Sequence, residues 1–347
     1  MAEPTRALIT IVILNWNGKH WLETFLPSVI AAAGPQQELL VVDNGSTDDS
    51  VSYLATAFPD VSVLELSENY GFAEGNNKAM PHVKTPFFVL LNSDVEVREG
   101  WTEPLIERLL TEPDLALLQP KVLSWHERTS FEYAGASGGW LDRWGYAFCR
   151  GRIFDLLEQD VGQYDEYQDC FWATGACLAG RTELVHKHGL FHGELFAHWE
   201  EIDLCWRMKN LGYRVAAEPA SVVFHVGGGT LPKGNPRKTY LNVRNSLICL
   251  YVNLPARLRF RRIFSRLLLD GIWATQALIS GEFSSVRAIF RGHWAFFRAI
   301  SFWDLRRQQI YKNQLPQAIP EAGYWPGSVV WYRFVKGKKT FFEIVPS

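Results

Sequence analysis

Cysteine is scarce and unpatterned in this chain of 347 residues. The five cysteines are scattered, odd in number and without Cys-x-x-Cys spacing. Disulfide frameworks pair an even number of cysteines, and zinc sites need them at short regular spacings. The sequence therefore predicts reduced thiols in the cytoplasm and no zinc site.

Long apolar runs are also missing. No stretch of 18 or more uncharged apolar residues occurs, which argues against a membrane-spanning helix. The apolar run at 8–14 is short and ends at polar Asn15, so we interpret it as a first strand rather than the core of a signal peptide. The expected location is the cytoplasm, with the inner face of the cell membrane as a candidate site.

Two common phosphate-binding motifs are absent. The glycine-rich segment Gly227-Gly-Gly-Thr-Leu-Pro232 lacks the Gly-x-Gly-x-x-Gly pattern, and no Walker motif occurs. Hydride transfer on a dinucleotide and P-loop hydrolysis of ATP are therefore not supported.

Charge is divided unevenly along the chain. Residues 241–347 contain 16 Lys and Arg against 5 Asp and Glu, which leaves 19 against 32 in residues 1–240. We predict an acidic catalytic domain at 1–240 and a basic, mainly helical region at 241–347. Arginines interleave with apolar residues from Arg257 to Arg266, a pattern typical of helices that lie on anionic membranes. A solvated helical appendage is the alternative, and we expect no nucleic-acid partner.

Strand and helix signals alternate through residues 1–120, which predicts a parallel sheet with right-handed crossovers. The run Phe87-Phe-Val-Leu-Leu91 has the composition of a strand buried on both faces. It leads directly into Asn92-Ser93-Asp94. Ligands bind beyond the carboxyl ends of such strands, so Asp94 is a candidate ligand for a divalent cation. An acidic turn that starts the next helix is the alternative.

Two further clusters follow predicted strands. Asp43 ends the second strand, where it could accept a hydrogen bond from a nucleobase or ribose, although Asx residues beside glycine are also common turn formers. Asn69 and Asn76 belong to a segment rich in glycine and asparagine. Glycine allows a ligand to approach the backbone, and amide side chains both donate and accept hydrogen bonds; a helix N-terminal loop is the alternative.

The second half of the chain supplies partners for these residues. Glu200, Glu201 and Asp203 begin a predicted helix, where one of the two glutamates could act as a general base. Acidic residues also stabilise helix starts through the helix dipole. His225 ends an apolar strand and could join Asp94 as a ligand of Mg²⁺ or Mn²⁺, although a lone histidine there is more often a hydrogen-bonded core residue.

Together these pieces resemble family 2 glycosyltransferases of the GT-A fold, in particular the rhamnosyltransferase-like branch. The resemblance covers residues 8–251. It rests on Asn15-Trp-Asn-Gly18, Val41-Val-Asp-Asn-Gly-Ser-Thr-Asp48, Glu68-Asn-Tyr-Gly-Phe-Ala73, Leu90-Leu-Asn-Ser-Asp-Val-Glu-Val97, Thr174-Gly-Ala-Cys177, Glu200-Glu-Ile-Asp-Leu-Cys-Trp-Arg207 and His225-Val-Gly-Gly228. It implies an α/β fold, with a Rossmann-like mixed sheet flanked by helices and a C-terminal helical appendage.

The resemblance also implies roles for individual residues. Glu201 would be the catalytic base, and Asp94 and His225 would hold the divalent cation. The donor site would comprise Asn15, Asp43, Asn69, Asn76, Asn92, Ser93 and Asp94, and the acceptor and sugar region Trp172, Thr174, Gly175 and Glu200. Two residues depart from the family pattern: Asn92 replaces the first Asp of the metal motif, and Glu201 replaces the usual Asp.

The activity that the resemblance implies is metal-dependent transfer of a sugar, with rhamnose as a candidate. The sugar would pass from a nucleoside diphosphate to a hydroxyl of a glycan or lipid-linked acceptor during cell-surface polysaccharide synthesis. A single displacement would invert the anomeric carbon. Two alternatives remain open: a nucleotidyltransferase, and a protein that binds sugar nucleotides but has lost catalysis.

Overall fold

A computed structural model describes residues 7–227, 235–312 and 315–346. The prediction of a break at the glycine-rich segment falls mostly on residues 228–234, which lie outside the described residues. The described chain forms a large mixed sheet, a small second sheet and a group of C-terminal helices.

Strands and helices alternate through the first part of the chain, as the apolar periodicity predicts. The strands are β1 (Ile9–Asn15), β2 (Gln37–Asp43), β3 (Ser62–Glu65), β4 (Phe87–Asn92), β5 (Val95–Val97), β6 (Leu115–Ser124), β7 (Gly139–Asp142), β8 (Ala147–Cys149), β9 (Arg152–Ile153), β10 (Leu156–Leu157), β11 (Gln168–Asp169), β12 (Cys177–Arg181), β13 (Arg214–His225) and β14 (Tyr324–Trp325). The helices are α1 (Lys19–Ala31), α2 (Ser50–Ala57), α3 (Gly71–Ala79), α4 (Glu103–Thr111), α5 (Thr182–His188), α6 (Glu200–Asn210), α7 (Pro236–Asn253), α8 (Ala256–Ile279), α9 (Phe283–Arg298), α10 (Ile300–Tyr311) and α11 (Phe341–Ile344).

The large sheet has the order β11-β13-β6-β12-β4-β1-β2-β3, with β5 paired to β13. Strands β3, β2, β1 and β4 are parallel, whereas β12 is antiparallel to both of its neighbours. The sheet is therefore mixed and is flanked by helices, which confirms the predicted fold class. All but the last residue of β4 are buried, as its uninterrupted apolar sequence predicts.

The parallel pairing places several strand ends at one edge of the sheet. Asn15 and Asp43 are partners in the β1–β2 register, and Asn92 pairs with the residue before Asn15. At the carboxyl end of β13, His225 is paired with Val95 of β5. This pairing brings His225 beside the turn that contains Asp94.

Residues 124–167 contain most of the small sheet. Its order is β10-β9-β8-β7-β14, and β14 comes from residues near the end of the chain. The buried Asp142 carboxylate accepts hydrogen bonds from the backbone N–H groups of Trp144, Tyr146 and Val329. Residues 324–329 therefore pack into the fold of residues 139–149.

The C-terminal region is mainly helical, as predicted. Helix α7 is mostly buried and packs against α6, α8, α9 and α10. The predicted domain boundary at 240/241 falls inside this helix. In the part of the chain that the structure describes, no helix is both long enough and apolar enough to cross a membrane.

The arginines of α8 do not share one face. Arg257 and Arg261 are exposed, but Arg259 lies over the Tyr251 ring and Arg262 over the Trp144 ring. Arg266 is buried and donates from Nε to the carboxylate of Asp270, one turn along the helix. Fewer arginines of α8 are therefore exposed than the interleaved sequence pattern suggests.

Candidate active site

Asn15 and Asp43 are buried at the carboxyl ends of β1 and β2. Asn15 Nδ2 donates to Asp43 Oδ2 over 3.1 Å, and the Ser46 backbone N–H donates to Asp43 Oδ1 over 2.8 Å. Both side chains are almost fully buried. Each carboxylate oxygen has a second lone pair, so Asp43 can still accept a hydrogen bond from a ligand.

The segment that contains Asn69 and Asn76 is held by its own amides. Asn69 Oδ1 accepts from the Gly71 N–H over 2.8 Å, and Asn44 Nδ2 donates to the same oxygen over 3.2 Å. Asn76 is buried and donates to the Phe72 carbonyl within α3. These bonds fix the loop before α3, and the predicted donor contacts of Asn69 and Asn76 stay predictions.

Asp94 and His225 are in direct contact. His225 Nε2 lies 3.2 Å from Asp94 Oδ1 and 3.4 Å from Asn92 Nδ2. Burial alone would raise the pKa of Asp94, but the charge and hydrogen bond of His225 outweigh it and lower that pKa. Ser93 is half-buried in the turn between Asn92 and Asp94. The structure therefore brings together the predicted metal ligands and their two neighbours.

Glu132 contacts the opposite side of the same imidazole. Its Oε2 lies 3.0 Å from His225 Nδ1 and accepts from the Ala134 N–H over 2.6 Å. Burial alone would lower the pKa of His225, but Asp94 and Glu132 together raise it to about 10. An imidazolium thus lies between two carboxylates.

Asp94 and His225 could hold a divalent cation, which would replace the proton on His225 Nε2. A carboxylate oxygen and an imidazole nitrogen are suitable ligands for Mn²⁺, and metal-binding histidines usually donate their other ring N–H to a carboxylate; Glu132 is placed for that role. In the described residues, no three His, Cys, Asp or Glu side chains are arranged to hold a metal. Because Glu132 lies on the Nδ1 side, the protein would supply two ligands.

Glu200 and Glu201 begin α6 without a side-chain cap. Glu200 is buried and Glu201 half-buried, and within the described chain neither Oε2 atom has a hydrogen-bond partner. Burial raises the pKa of Glu201 to about 7, and burial together with the Glu201 charge raises that of Glu200 further. A carboxylate with a pKa near neutrality is suited to general base catalysis.

The loop before α6 has an unusual backbone. Phe196, His198 and Trp199 have φ angles of 67°, 68° and 73°. For residues other than glycine this conformation costs on the order of 1–3 kcal/mol each and is often found at functional sites. The Phe196 carbonyl accepts from the Ala73 N–H over 3.0 Å, which ties this loop to α3.

Gly175 lies close to Glu201. A Cβ on Gly175 would be 3.4 Å from the Phe72 ring and 3.8 Å from Glu201 Cβ. The next residue, Ala176, accepts through its carbonyl from the Asn92 N–H over 3.0 Å. Residues 175–176 therefore connect the surroundings of Glu201 with the carboxyl end of β4.

Thr174 and Trp172 point into the protein. The Thr174 N–H donates to Gln119 Oε1 over 2.9 Å. Trp172 is buried, and its indole N–H donates to the Trp140 carbonyl over 3.1 Å. The structure thus places Trp172 in the core, whereas its predicted role was contact with the sugar or acceptor.

A cavity of about 730 Å³ lies between the Tyr70–Glu74 segment, residues 188–194 and Arg306. None of the predicted catalytic or metal residues lines it. It borders the segment that contains Asn69 and Asn76 through Tyr70, Glu74 and Asn77.

Sequence reasoning missed three polar residues at this site: Asn44, Gln119 and Glu132. Asn44 is adjacent to Asp43 in the sequence and could have been included with it. Gln119 lies inside an apolar strand, where a buried amide signals a hydrogen-bonding role. Glu132 lies in a stretch without periodicity, so nothing in the sequence distinguishes it from a surface glutamate.

Comparisons with known proteins relate the chain to glycosyltransferases. Residues 10–181 match the family model described as glycosyl transferase family 2. The chain is 26% identical over 233 residues to the pre-mycofactocin glycosyltransferase of Mycobacterium tuberculosis, which covers 64% of this chain and 43% of that relative. It is 23% identical over 242 residues to the N-acetylglucosaminyl-diphospho-decaprenol L-rhamnosyltransferase of the same organism, which covers 63% of this chain and 76% of the relative. The chain thus spans less than half the length of the first relative.

Two solved structures establish the fold as GT-A. GalNAc-T7 with UDP, GalNAc and Mn²⁺ has a TM-score of 0.54 at 17% identity, over 72% of this chain and 48% of that one. The mannosyltransferase PcManGT of Pyrobaculum calidifontis, in complex with GDP-Man and Mn²⁺, has a TM-score of 0.50 at 15% identity, over 87% and 88%.

Proposed function

The chain belongs to glycosyltransferase family 2 through residues 10–181, and from that premise we propose that it is an inverting transferase of a nucleotide-linked sugar. The acceptor is a hydroxyl of a glycan or a lipid-linked saccharide in cell-surface polysaccharide synthesis. The observation that carries the proposal is the contact of Asp94 with His225 over 3.2 Å, at the sheet edge where GT-A enzymes bind their donors.

Asp43 is the residue we assign to the nucleoside of the donor. Its carboxylate is fixed by Asn15 and Ser46 and can accept one more hydrogen bond, from a base imide or a ribose hydroxyl. The neighbouring Asn44 links this strand end to the loop at Asn69. The donor would therefore meet a preorganised surface, which lowers the entropic cost of binding.

A divalent cation, Mg²⁺ or Mn²⁺, would be held by Asp94 and His225. When bound, such an ion stabilises the negative charge of a departing diphosphate. The protein's own residues orient the proposed ligands. Glu132 fixes the His225 ring through Nδ1, and the Asn92 amide lies beside Nε2 of the same ring.

Glu201 is the proposed base. Its raised pKa, about 7, allows it to accept the proton of the acceptor hydroxyl at neutral pH. Attack by that hydroxyl on the face opposite the leaving diphosphate is a single displacement, which inverts the anomeric carbon. Glu200 is the alternative base, and burial together with the Glu201 charge raises its pKa well above the ordinary value.

Rhamnose is a candidate sugar because one relative is named as an L-rhamnosyltransferase. The solved structures carry GalNAc with UDP and GDP-Man, so the donor must be identified by experiment. The cytoplasmic location, at the inner face of the cell membrane, is likewise a proposal and follows from the nature of a lipid-linked acceptor.

Contact with anionic lipid is supported by α8 and α9, which pack against each other. Both helices expose large apolar side chains at spacings of three, four or seven residues, which place each set on one side of its helix. These side chains are Phe260, Phe264, Leu268, Ile272, Phe283, Phe290, Trp294 and Phe297. Exposed arginines accompany them: Arg257, Arg261, Arg287, Arg291 and Arg298. The only acidic residue within the two helices, Asp270, is buried.

The test is a thermal-shift screen of the full chain against UDP-, GDP- and dTDP-linked sugars, with and without Mn²⁺. A donor present at a hundred times its dissociation constant stabilises the fold by about 2.7 kcal/mol. We expect one donor class to raise the melting temperature only when Mn²⁺ is present, and to be hydrolysed slowly to free sugar and nucleoside diphosphate. Absence of both effects would contradict the proposal.

A protein that binds sugar nucleotides without catalysis is the second candidate, since Asn92 stands where the family has Asp. Binding without hydrolysis or transfer would favour it. The family match gives no support to the third alternative, a nucleotidyltransferase, whose signature would be release of pyrophosphate.

A further inference from the structure

The loop that leads into the proposed base is held by one side chain of α7. Asn245 is fully buried. Its Nδ2 donates to the carbonyl oxygens of Leu195, Ala197 and His198, over 3.0, 3.0 and 2.7 Å. An amide group has two N–H bonds, so the three carbonyls share them.

Arg244 determines the orientation of this amide. Its Nε donates to Asn245 Oδ1 over 2.8 Å, which directs the NH₂ group of Asn245 towards the loop. Another nitrogen of Arg244 donates to the carbonyl oxygens of Glu194 and Leu195, both over 3.0 Å. Two neighbouring residues of α7 therefore bind four carbonyls of the loop.

The loop needs such bonds because its backbone is unfavourable without them. Phe196, His198 and Trp199 have positive φ angles, and α6 follows directly, with no side chain capping its first N–H groups. The Trp199 carbonyl accepts from the Asp203 N–H over 2.9 Å. The direction in which α6 starts, and with it the position of Glu201, thus follows from the conformation of residues 195–199.

We propose that Asn245 is a positioning residue for catalysis, which holds the loop 195–199 so that Glu201 faces the acceptor hydroxyl. The inference rests on the proposed function for the role of Glu201. It assigns part of the catalytic machinery to the helical region that follows the GT-A sheet, because α7 packs on α6 from outside that sheet.

The test compares Asn245→Asp with Asn242→Asp in the full chain. Asp at 245 keeps the shape and the bond from Arg244 but cannot donate to the carbonyls. Asn242 lies on the same helix, and among the described residues its side chain donates to the Lys238 carbonyl of that helix, so it is the matched control. Steady-state transfer is measured from pH 5 to 9, and amide hydrogen exchange is followed in residues 193–203.

We expect Asn245→Asp to lower kcat at least tenfold and to leave the donor KM within twofold. Amide exchange in residues 193–203 should rise at least tenfold, while β4 stays protected. The acid limb of the kcat profile should move to lower pH, because a released Glu201 is better solvated. A merely structural role would not move that limb.

Unchanged exchange in the loop, or a pH profile identical to that of Asn242→Asp, would overturn the inference. If Asn245→Asp does not fold, Arg244→Met takes its place: this residue is only half-buried, and its loss frees the amide to turn. We expect the same changes, each smaller, and their absence would overturn the inference equally. Failure of the proposed function is distinguishable, since the unchanged chain would then transfer no sugar while loop exchange still responds to Asn245→Asp.

Discussion

Asn15 donates to Asp43 across the ends of two parallel strands, at the one register position where β1 and β2 both stop. The amide is neutral, so it orients the carboxylate without forming an ion pair with it. A buried carboxylate whose orientation is fixed in this way is suited to recognise N–H or O–H donors of a nucleoside.

Asp43→Asn should weaken nucleotide binding. The amide presents an NH₂ group where the carboxylate presents lone pairs, so we expect about a tenfold or greater loss of affinity for UDP, GDP or dTDP, equivalent to about 1.4 kcal/mol or more. Isothermal titration with Mn²⁺ present measures it. Asp49→Asn is the control, since Asp49 is exposed in the same loop; equal affinity of the two variants would remove Asp43 from the donor site.

Asp94→Asn should weaken Mn²⁺ binding more than tenfold, because a neutral amide replaces one of the two proposed protein ligands. Titration of Mn²⁺ into the chain with nucleoside diphosphate present measures this. Asp60→Asn, at an exposed turn, should bind Mn²⁺ as the unchanged chain does. An unaltered Mn²⁺ affinity in Asp94→Asn would place the metal elsewhere.

Glu201→Gln should lower kcat by about 10²–10⁴-fold, which is the usual contribution of a general base. Donor affinity should stay within twofold, because the change does not touch the β1, β2 or β4 strand ends. Glu183→Gln, at the exposed start of α5, is the matched control. Near-normal transfer by Glu201→Gln, with loss of transfer in Glu200→Gln, would reassign the base to Glu200.

The kcat of the unchanged enzyme should rise with pH through about 7, as the Glu201 carboxyl loses its proton.

The raised pKa of Glu201 should also make the stability of the fold depend on pH. The folded chain keeps a proton that the unfolded chain releases above the ordinary value of 4.5, so this group stabilises the fold below that pH and the contribution is lost as pH rises to about 7. Denaturant titrations should show a smaller fall in the free energy of unfolding for Glu201→Gln across that window.

Flotation with liposomes tests the membrane surface of α8 and α9. The double variant Phe264→Ser/Phe290→Ser should lose most binding to vesicles that contain phosphatidylglycerol, because it removes one exposed aromatic side chain from each helix. The control Leu110→Ser/Val161→Ser removes two exposed apolar residues from the catalytic half and should float normally. Equal flotation of all three proteins, or equal binding to neutral phosphatidylcholine vesicles, would contradict contact with anionic lipid.

Local patterns in the sequence predicted much of the sheet edge. Apolar runs that end in polar residues identified the carboxyl ends of β1, β2 and β4, and parallel pairing then placed Asn15, Asp43 and Asn92 together. His225 also ends an apolar strand, which made it a candidate partner of Asp94. The antiparallel pairing of β13 with β5 that joins them spans more than a hundred residues and has no local signal.

Other features depend on packing that periodicity does not encode. The sequence presents the arginines of α8 as one basic series, yet Arg266 turns inward because the buried Asp270 lies one turn away. Trp172 was expected near the sugar but fills the core beside Gly139, which has no side chain to exclude its ring. Glu132 and Asn245 make contacts with residues distant in the sequence, and the residues next to them in the sequence give no sign of these contacts.

The pairing of β14 with β7 has a consequence for synthesis of the protein. Domains generally fold from the N-terminus as they leave the ribosome, and the large sheet is complete once β13 has emerged. The small sheet must wait, because the partner of β7 is made about 180 residues later and long-range pairing is slow to form. Until residues 324–329 arrive, the Asp142 carboxylate lacks its bond from Val329 and β7 lacks its partner β14, so the nascent chain passes through a stage in which the parallel strands of the large sheet are folded beside an unfinished small sheet.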